Sequence, residues 1–205
     1  MRIVNPQVLA DLAAGRPVRL DLGAGLSKKA DHYGVDHLEL PGVDIVADLN
    51  EPLSGLPDDS VESIHSRHTL EHVENFLPLM AELHRTCRPG AEIEIIVPHF
   101  SNPYFYSDPT HVRSFGLYTM SYLMDEARQP GRKVPAFYTK TRFSLIGVRF
   151  DFYRTSLLDR IVVPFLRGLV NLSFTTQEMY ERRWVWLWPA WQIRYRLRVE
   201  KGRPG

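Results

Sequence analysis

The chain has 205 residues, 44% of them hydrophobic, and a formal net charge of +1. This length is typical of one domain with a substantial core, and we expect a single domain over residues 1–205. No run of about 18 uncharged apolar residues occurs, so the sequence predicts no transmembrane segment, and no signal peptide is visible. The single cysteine, Cys87, permits no intrachain disulfide and favours a reducing, cytoplasmic location.

The small net charge conceals an acidic first half and a basic second half. Residues 1–100 carry 8 Lys and Arg against 16 Asp and Glu, whereas residues 101–205 carry 17 against 8. A basic second half can attract an anionic substrate or surface. The acidic first half and the lack of an RNA-binding module predict no nucleic-acid partner.

Hydrophobic periodicity predicts strands that alternate with helices along the first hundred residues. Such alternation favours an α/β fold with a parallel sheet. The predicted elements are a helix at Asn5–Gly15, strands at Val18–Leu22, Tyr33–His37, Asp44–Leu49 and Val61–Ser66, a helix at Glu71–Cys87 that ends before Pro89-Gly90, and a strand at Glu92–Val97.

The connections between the first three strands are unusually short. Only 10 residues separate Gly25 from Asp36, and only 6 separate His37 from Asp44. A parallel crossover normally takes about a dozen residues or more, usually including a helix. We therefore predict that the first two crossover helices are shortened or absent.

The last third of the chain has a different pattern. Phe143–Arg154 and Ala190–Glu200 alternate strongly and predict an antiparallel strand pair that closes the sheet. Between them, residues 155–190 are predicted to be a helical, aromatic-rich insertion that holds three of the four tryptophans, and Trp191 follows directly. Three interpretations stay open for it: a cover on the sheet, a homodimer interface, or weak peripheral contact with a membrane.

Motifs in the first half occur in an informative order. Asp21-Leu-Gly-Ala-Gly25 follows the first strand, and glycine lets a backbone approach a ligand closely. Asp48-Leu49-Asn-Glu-Pro-Leu53, Leu56-Pro-Asp-Asp-Ser60 and His68-Thr-Leu-Glu-His72 follow in turn. As an ordered set within residues 18–100, these motifs resemble the type 11 branch of class I S-adenosyl-L-methionine (SAM) methyltransferases. The resemblance implies a Rossmann-like, mostly parallel sheet and SAM as the cofactor.

Two competing motifs are less well matched. In the dinucleotide fingerprint G-x-G-x-x-G the third glycine falls on Lys28, and Asp44, near the spacing of a ribose-binding acid, precedes an apolar run instead of ending one. His68-Thr-Leu-Glu-His72 matches the H-x-x-E-H pattern of inverted zinc peptidases, which requires both histidines on one helix. The sequence disfavours both an NAD site and a zinc peptidase.

The resemblance, together with the strand ends, indicates which residues bind the cofactor. Ligands of open parallel sheets bind outside the carboxyl ends of the strands. Asp36 is expected to accept hydrogen bonds from the ribose hydroxyls and Asp48 from the adenine amino group, and Asp48 inherits the ribose if the short second strand is misplaced. The predicted cofactor-binding residues are Asp21, Gly23, Ala24, Gly25, Asp36, Asp48, Leu49, Ser66 and His68.

The segment Pro98–His111, which resembles one found in bacterial members of the family, follows the fifth strand and is expected to face the transferable methyl group. Histidine is the usual general base for a hydroxyl acceptor, so His111 or His99 is the predicted base, with Asp108 as its orienting partner. A metal held by these three residues is an alternative, but we predict no metal. The predicted acceptor-binding residues are Tyr104, Tyr106 and Arg113.

The sequence thus predicts an enzyme that transfers a methyl group from SAM to a small-molecule acceptor, at oxygen or nitrogen. The alternative is a non-catalytic SAM-binding or interaction protein on the same fold. The identity of the acceptor does not follow from the sequence.

Overall fold

The structure is a computed structural model that describes residues 1–201, so the last four residues of the predicted domain lie outside it. The described residues form one eight-stranded sheet and four α-helices. The strands are β1 (Arg2–Ile3), β2 (Val18–Leu22), β3 (Tyr33–Asp36), β4 (Val43–Val46), β5 (Val61–Arg67), β6 (Cys87–Pro98), β7 (Arg142–Phe152) and β8 (Ala190–Glu200). The helices are α1 (Pro6–Ala13), α2 (Phe76–Thr86), α3 (Leu157–Val170) and α4 (Phe174–Arg183).

The strand order is β1-β4-β3-β2-β5-β6-β8-β7. Strands β2 to β6 are mutually parallel, while β1, β8 and β7 pair antiparallel with their neighbours. This arrangement confirms the predicted α/β class and the antiparallel carboxy-terminal pair. The chain moves outward from β2 in one direction to β4 and then from β5 in the other direction to β6, so the topological switch lies between β2 and β5.

The short first crossovers are confirmed, since the connections from β2 to β3 and from β3 to β4 contain no helix.

One face of the sheet carries charged side chains at alternate positions, and several of them pair with a side chain of opposite charge on the adjacent strand. Arg19 contacts Glu62 at 2.9 Å, and Arg194 contacts Glu94 at 3.0 Å. Strands of a parallel sheet that is covered on both faces are usually apolar throughout, so this alternation marks a solvated face.

The opposite face of the sheet forms the core. Leu20, Ile64 and Ile95 from the central strands are buried there with Met80 and Leu83 of α2. Helix α2 begins at Phe76, later than predicted, because residues 70–72 form a separate 3-10 turn. The predicted stop at Pro89-Gly90 lies within β6, where the register with β5 shifts, so these two residues form a bulge and not the end of a helix.

The predicted helical insertion contains two helices, α3 and α4, which are separated at Asn171–Ser173. Asn171 hydrogen-bonds both the amide and the carbonyl of Phe150, and it thereby blocks the free edge of β7. No helix within residues 1–201 is long and apolar enough to cross a membrane. One side of α3 nevertheless exposes large apolar side chains, namely Leu157, Leu158, Ile161, Phe165 and Leu169, continued by Leu172.

Candidate active site

A cleft of about 570 Å³ opens at the carboxyl ends of the parallel strands. It lies at the topological switch between β2 and β5, where open α/β sheets bind their ligands. Its walls come from the turn after β2, the ends of β3 and β4, the segment after β5 and the loop after β6. The lining residues are Gly23, Asp36, His37, Ala47, Asp48, Leu49, Asn50, His68, Thr69, His72, Val73 and Thr110.

The turn after β2 forms the floor of this cleft. Gly23 and Gly25 have φ angles of +68° and +50°, a left-handed conformation that glycine adopts without strain. The Gly23 amide donates to the Val35 carbonyl at 2.8 Å, which joins the turn to β3. A Cβ atom on Gly23 would overlap the side chain of Thr69, so only glycine fits at this position.

Asp36 ends β3 on the wall of the cleft, with its carboxylate largely buried. One carboxylate oxygen accepts the Gly25 amide at 3.0 Å, and the other accepts the Leu38 amide at 3.0 Å. Nδ1 of His37 also lies 3.2 Å from Oδ1. An ionised carboxylate offers about four acceptor positions, so at least one remains for a ligand's hydroxyl group. Asp36 therefore both organises the glycine turn and presents acceptors to the cleft.

The segment after β4 supplies the neighbouring wall. Asp48 is exposed, and its Oδ1 accepts the Asn50 amide at 2.8 Å, while the adjacent Leu49 is buried. Asn50 in turn accepts the amides of Glu74 and Asn75 with its Oδ1, which ties this wall to the start of α2. An exposed carboxylate beside an apolar side chain suits a planar ring that carries an amino group.

Two histidine rings lie beside the cleft, next to Thr110, with centroids 4.8 Å apart. His72 lines the cleft and comes from the 3-10 turn, and His111 comes from the loop after β6. Nδ1 of His72 lies 2.9 Å from the Thr110 hydroxyl, and Nδ1 of His111 lies 2.9 Å from the Phe105 carbonyl. The loop after β6 is thus joined to the segment after β5 beside the cleft.

Comparison with known proteins agrees with this geometry. Residues 5–95, which include the glycine turn and most of the walls of the cleft, match a family model described as a methyltransferase domain. This part of the chain therefore resembles the domain of the SAM-dependent methyltransferases, whose cofactor is SAM. Among curated proteins, none matches the sequence significantly.

Solved structures show the same fold at low sequence identity. A SAM-dependent methyltransferase from Archaeoglobus fulgidus has 16% identity and a TM-score of 0.56, with 94% of this chain and 90% of that chain covered. A methyltransferase from Bacillus halodurans also has 16% identity, with a TM-score of 0.54 and coverage of 95% and 100%. A methyltransferase from Haloferax volcanii, solved in complex with the Trm112 methyltransferase activator, has 12% identity, a TM-score of 0.53 and coverage of 95% and 89%.

Within the methyltransferase, Asp21 supports the glycine turn from outside the cleft. Its carboxylate accepts the Lys29 amide at 2.7 Å and contacts Nδ1 of His65 at 2.7 Å. Burial opposes ionisation, but the hydrogen bonds from His65 and Lys29 outweigh it, so the pKa of Asp21 is lowered. Ala24 and Ser66 are also buried, and neither they nor Gly25 line the cleft. These four predicted cofactor residues therefore lie behind its surface, whereas Gly23, Asp36, Asp48, Leu49 and His68 line it.

His99 does not lie in the acceptor site that the sequence predicted for it. Its ring is fully buried, with Nδ1 at 2.8 Å from the Ser101 hydroxyl and Nε2 at 3.0 Å from Glu181 on α4. Burial lowers the pKa of His99, although Glu181 opposes the shift. A buried imidazole with both nitrogens engaged cannot reach an acceptor, so His99 has a structural role.

Three further residues predicted for the acceptor site, Tyr104, Tyr106 and Asp108, also belong to the loop after β6. Tyr104 and Tyr106 are exposed, and the Tyr106 hydroxyl donates to the Phe100 carbonyl. Asp108 accepts the Thr110 hydroxyl at 2.6 Å, and its other oxygen lies 3.6 Å from Nε2 of His111. The Thr110 hydrogen bonds lower the pKa of Asp108.

Arg113 anchors the loop after β6 to the start of α2. Its guanidinium donates to the Glu74 carbonyl at 3.0 Å and lies 5.2 Å from the centre of the Phe76 ring. Arg113 does not line the cleft, and its role in binding the acceptor stays a prediction.

The two competing motifs also have structural explanations. Asp44 pairs with Lys28 at 2.6 Å and accepts the Gly34 amide at 2.8 Å, so it holds the β2–β3 loop and is not a ribose ligand. His68 has a φ of +53° and lies outside the short 3-10 turn that holds His72, so the H-x-x-E-H residues do not share a helix. The motif nevertheless marked Glu71 and His72, whose place beside the cleft the sequence analysis did not assign.

Proposed function

We propose that this methyltransferase transfers the methyl group of SAM to an oxygen or nitrogen atom of a small molecule. The proposal rests on one observation: the ring of His72, which lines the cofactor cleft, lies 4.8 Å from the ring of His111, on the loop where an acceptor would enter. Histidine side chains are the usual proton acceptors near neutral pH.

The walls of the cleft supply groups suited to each part of the cofactor. Asp36 presents acceptors for the ribose hydroxyls, and Asp48 and Leu49 present a carboxylate and an apolar surface for the adenine. The glycine turn leaves backbone amides close to the methionine portion. When bound, SAM supplies a methyl group that is already activated by its sulfonium, so the main task of the protein is to orient the acceptor.

His111 is the proposed base for the acceptor proton. Its Nδ1 must donate to the Phe105 carbonyl, because a carbonyl oxygen only accepts. Nε2 therefore carries the lone pair and can accept a proton from a hydroxyl or ammonium group. Asp108, 3.6 Å from Nε2, would stabilise the imidazolium that forms.

The exposed apolar side of α3 is proposed as the interface with a second copy of the chain. Leu157, Ile161 and Phe165 are more than two-thirds exposed, which is unusual for adjacent large apolar residues on one helix.

A reducing, cytoplasmic location is proposed from the single cysteine. Cys87 is buried, and this burial raises the pKa of its thiol to about 12.

The function is tested by SAM-dependent turnover on a panel of small hydroxyl and amine acceptors. We expect His111→Ala to keep its affinity for S-adenosylhomocysteine while turnover falls by about 10²–10⁴-fold. His84→Gln is the control, because His84 lies at the other end of α2 and binds the Glu200 carbonyl. Cofactor binding without turnover on any acceptor would favour the non-catalytic alternative.

A further inference from the structure

Three side chains beside the cleft form a set suited to a metal ion. Glu71, His72 and His111 each offer one ligand atom, and within the described residues these atoms lie within 4.8 Å of one another. Two imidazoles and one carboxylate form a donor set that protein sites use for zinc and non-haem iron. We infer that these three residues bind a divalent transition-metal ion at the acceptor end of the cofactor cleft, which revises the expectation of no metal.

The hydrogen bonds of His72 decide which of its nitrogens can bind a metal. The Thr110 hydroxyl has one proton, which it donates to Asp108 Oδ1 at 2.6 Å. At the 2.9 Å contact with His72, this hydroxyl must therefore accept, so Nδ1 of His72 carries the hydrogen. The lone pair of His72 is consequently on Nε2, and no hydrogen bond occupies this nitrogen among residues 1–201.

His111 has the same arrangement through a different partner. Its Nδ1 donates to the Phe105 carbonyl, and its lone pair is on Nε2. Metal-binding histidines in proteins almost always donate their second nitrogen to a carbonyl, carboxylate or similar acceptor, which fixes the ring orientation. Both rings of this pair therefore have the outer hydrogen bond that a metal ligand needs.

Glu71 supplies an observation that is independent of the histidines. This residue is 1% exposed, and within the described part of the chain its Oε2 atom is buried without a hydrogen-bond partner. Its other oxygen lies 3.5 Å from Nδ1 of His68, which is too far for a good hydrogen bond. A buried carboxylate oxygen without a partner is costly, and a bound cation would remove this cost.

The ion would have open positions on the cleft side. Glu71 is buried and His111 half-buried, whereas His72 is exposed and lines the cofactor cleft with Thr110. The hydroxyl of an acceptor bound at an open position would release its proton to solvent water more readily, as metal-bound water does. In that case His72 and His111 hold the ion, and solvent takes the proton. This role in orienting the acceptor rests on the proposed methyl transfer, whereas metal binding does not.

Metal binding is tested by titrating the chelator-treated full chain with Co²⁺, followed by visible absorption and calorimetry. We expect one equivalent to bind, with ligand-field bands typical of mixed nitrogen and oxygen ligands, and Zn²⁺ to displace it. His72→Ala, His111→Ala and the isosteric Glu71→Gln should each weaken binding by about tenfold or more. Thr110→Val, which removes only the hydroxyl that orients His72, should weaken it by about tenfold. His84→Gln should bind like the wild type.

A wild-type chain that binds no stoichiometric Co²⁺, or Glu71→Gln and His111→Ala variants that bind it unchanged, would overturn the site. Thermal unfolding in the absence of metal identifies any variant that does not fold, and Glu71→Gln keeps the shape of the side chain it replaces. Turnover that persists after complete chelation would overturn the role in holding the acceptor and leave His111 as the base. Binding of S-adenosylhomocysteine, measured in parallel, tests the methyltransferase proposal separately.

Discussion

Asp36 has a structural task, and its proposed second task is to bind the ribose of the cofactor. Its two hydrogen bonds to the amides of Gly25 and Leu38 join the glycine turn to the end of β3. The same carboxylate lines the cleft, where it has at least one acceptor position left for a ribose. A substitution here is therefore expected to affect affinity for the cofactor more than the fold.

We expect Asp36→Asn to weaken binding of S-adenosylhomocysteine by about tenfold or more, since a hydrogen bond to a charged group contributes about 1.5–3 kcal/mol. Calorimetric titration measures the change. Asp58→Asn is the matched control, because Asp58 is an exposed partner of Arg85 outside the cleft. Equal affinities of the two variants would exclude Asp36 as the ribose ligand.

The left-handed conformation of Gly25 offers a second comparison at the residue scale. Gly25 and Gly15 have φ angles of +50° and +63°, and a Cβ atom on either residue meets nothing within 4 Å. Each Gly→Ala change should therefore cost a similar strain of about 1–2 kcal/mol in the free energy of unfolding. Only Gly25→Ala should also weaken cofactor binding, because the Gly25 amide orients Asp36. Affinity that is unaffected in both variants would show that the turn does not contribute to the site.

His99 predicts a pH dependence of stability. Burial keeps its folded-state pKa below the ordinary value of 6.5, despite the opposing effect of Glu181. As the pH falls below 6.5, the unfolded chain binds a proton that the folded chain resists, so this histidine makes folding less favourable. Urea unfolding near neutral pH and at about pH 5.5 should show that wild-type stability decreases more steeply than that of His99→Gln. Identical slopes would contradict the shift.

Some residue roles follow from the sequence and others do not. The glycine turn and the strand-end residue Asp36 were predictable, because parallel strands bring their carboxyl ends to one edge. Strand alternation places the side chain of Asp21 on the polar face of the sheet, opposite to Leu20 and Leu22. The glycine motif that begins at Asp21 therefore does not by itself indicate contact between Asp21 and the cofactor. The burial of His99 depends on Glu181, 82 residues later, and no local pattern indicates that contact.

At the scale of elements, strands were predicted more accurately than helix boundaries. The strands Val18–Leu22 and Ala190–Glu200 have the predicted bounds, since apolar alternation marks both ends. The predicted helix from Glu71 was too long because Asn50 binds the amides of Glu74 and Asn75, which fixes the chain before α2. Contacts between distant segments decide such boundaries, and hydrophobic periodicity does not record them.

The α3 helix leads to a prediction about oligomeric state. Ile161 and Phe165 are 72% and 74% exposed, and their burial against a second copy would remove apolar surface from water. Light scattering at micromolar concentration should give twice the chain mass for the wild type and one chain mass for the double variant Ile161→Ser, Phe165→Ser. Leu9→Ser, at an exposed position of α1, should stay dimeric.

A monomeric wild type would exclude the dimer. If such a monomer also sedimented with anionic vesicles, and the double variant did not, the apolar side of α3 would instead be a membrane-contact surface. A monomer without vesicle binding would leave this side without either partner.

For the whole molecule, the fold class and the antiparallel closing pair followed from a small number of sequence features, whereas the strand order did not. Alternation of strands and helices predicted the parallel sheet, and the two segments of strict alternation near the end predicted the antiparallel pair. The division into a cofactor side and an acceptor side also follows chain order, because residues 23–73 line most of the cleft and Thr110 closes it. The Glu71–His72–His111 cluster did not follow, since the loop that brings His111 to the other two residues has no periodic pattern.

The short connections of the first half have a consequence for the order of folding. Leu20 pairs with Tyr33 and Gly34 with Val43, whereas Glu92 of β6 pairs with Arg198 of β8. Contacts between residues close in sequence lose less loop entropy on forming than contacts across a hundred residues. The strands that carry Gly23, Asp36 and Asp48 can therefore assemble early, before the carboxy-terminal strands have joined the sheet. A nascent chain of this methyltransferase would build the floor of its cofactor cleft while its acceptor side is still being synthesised.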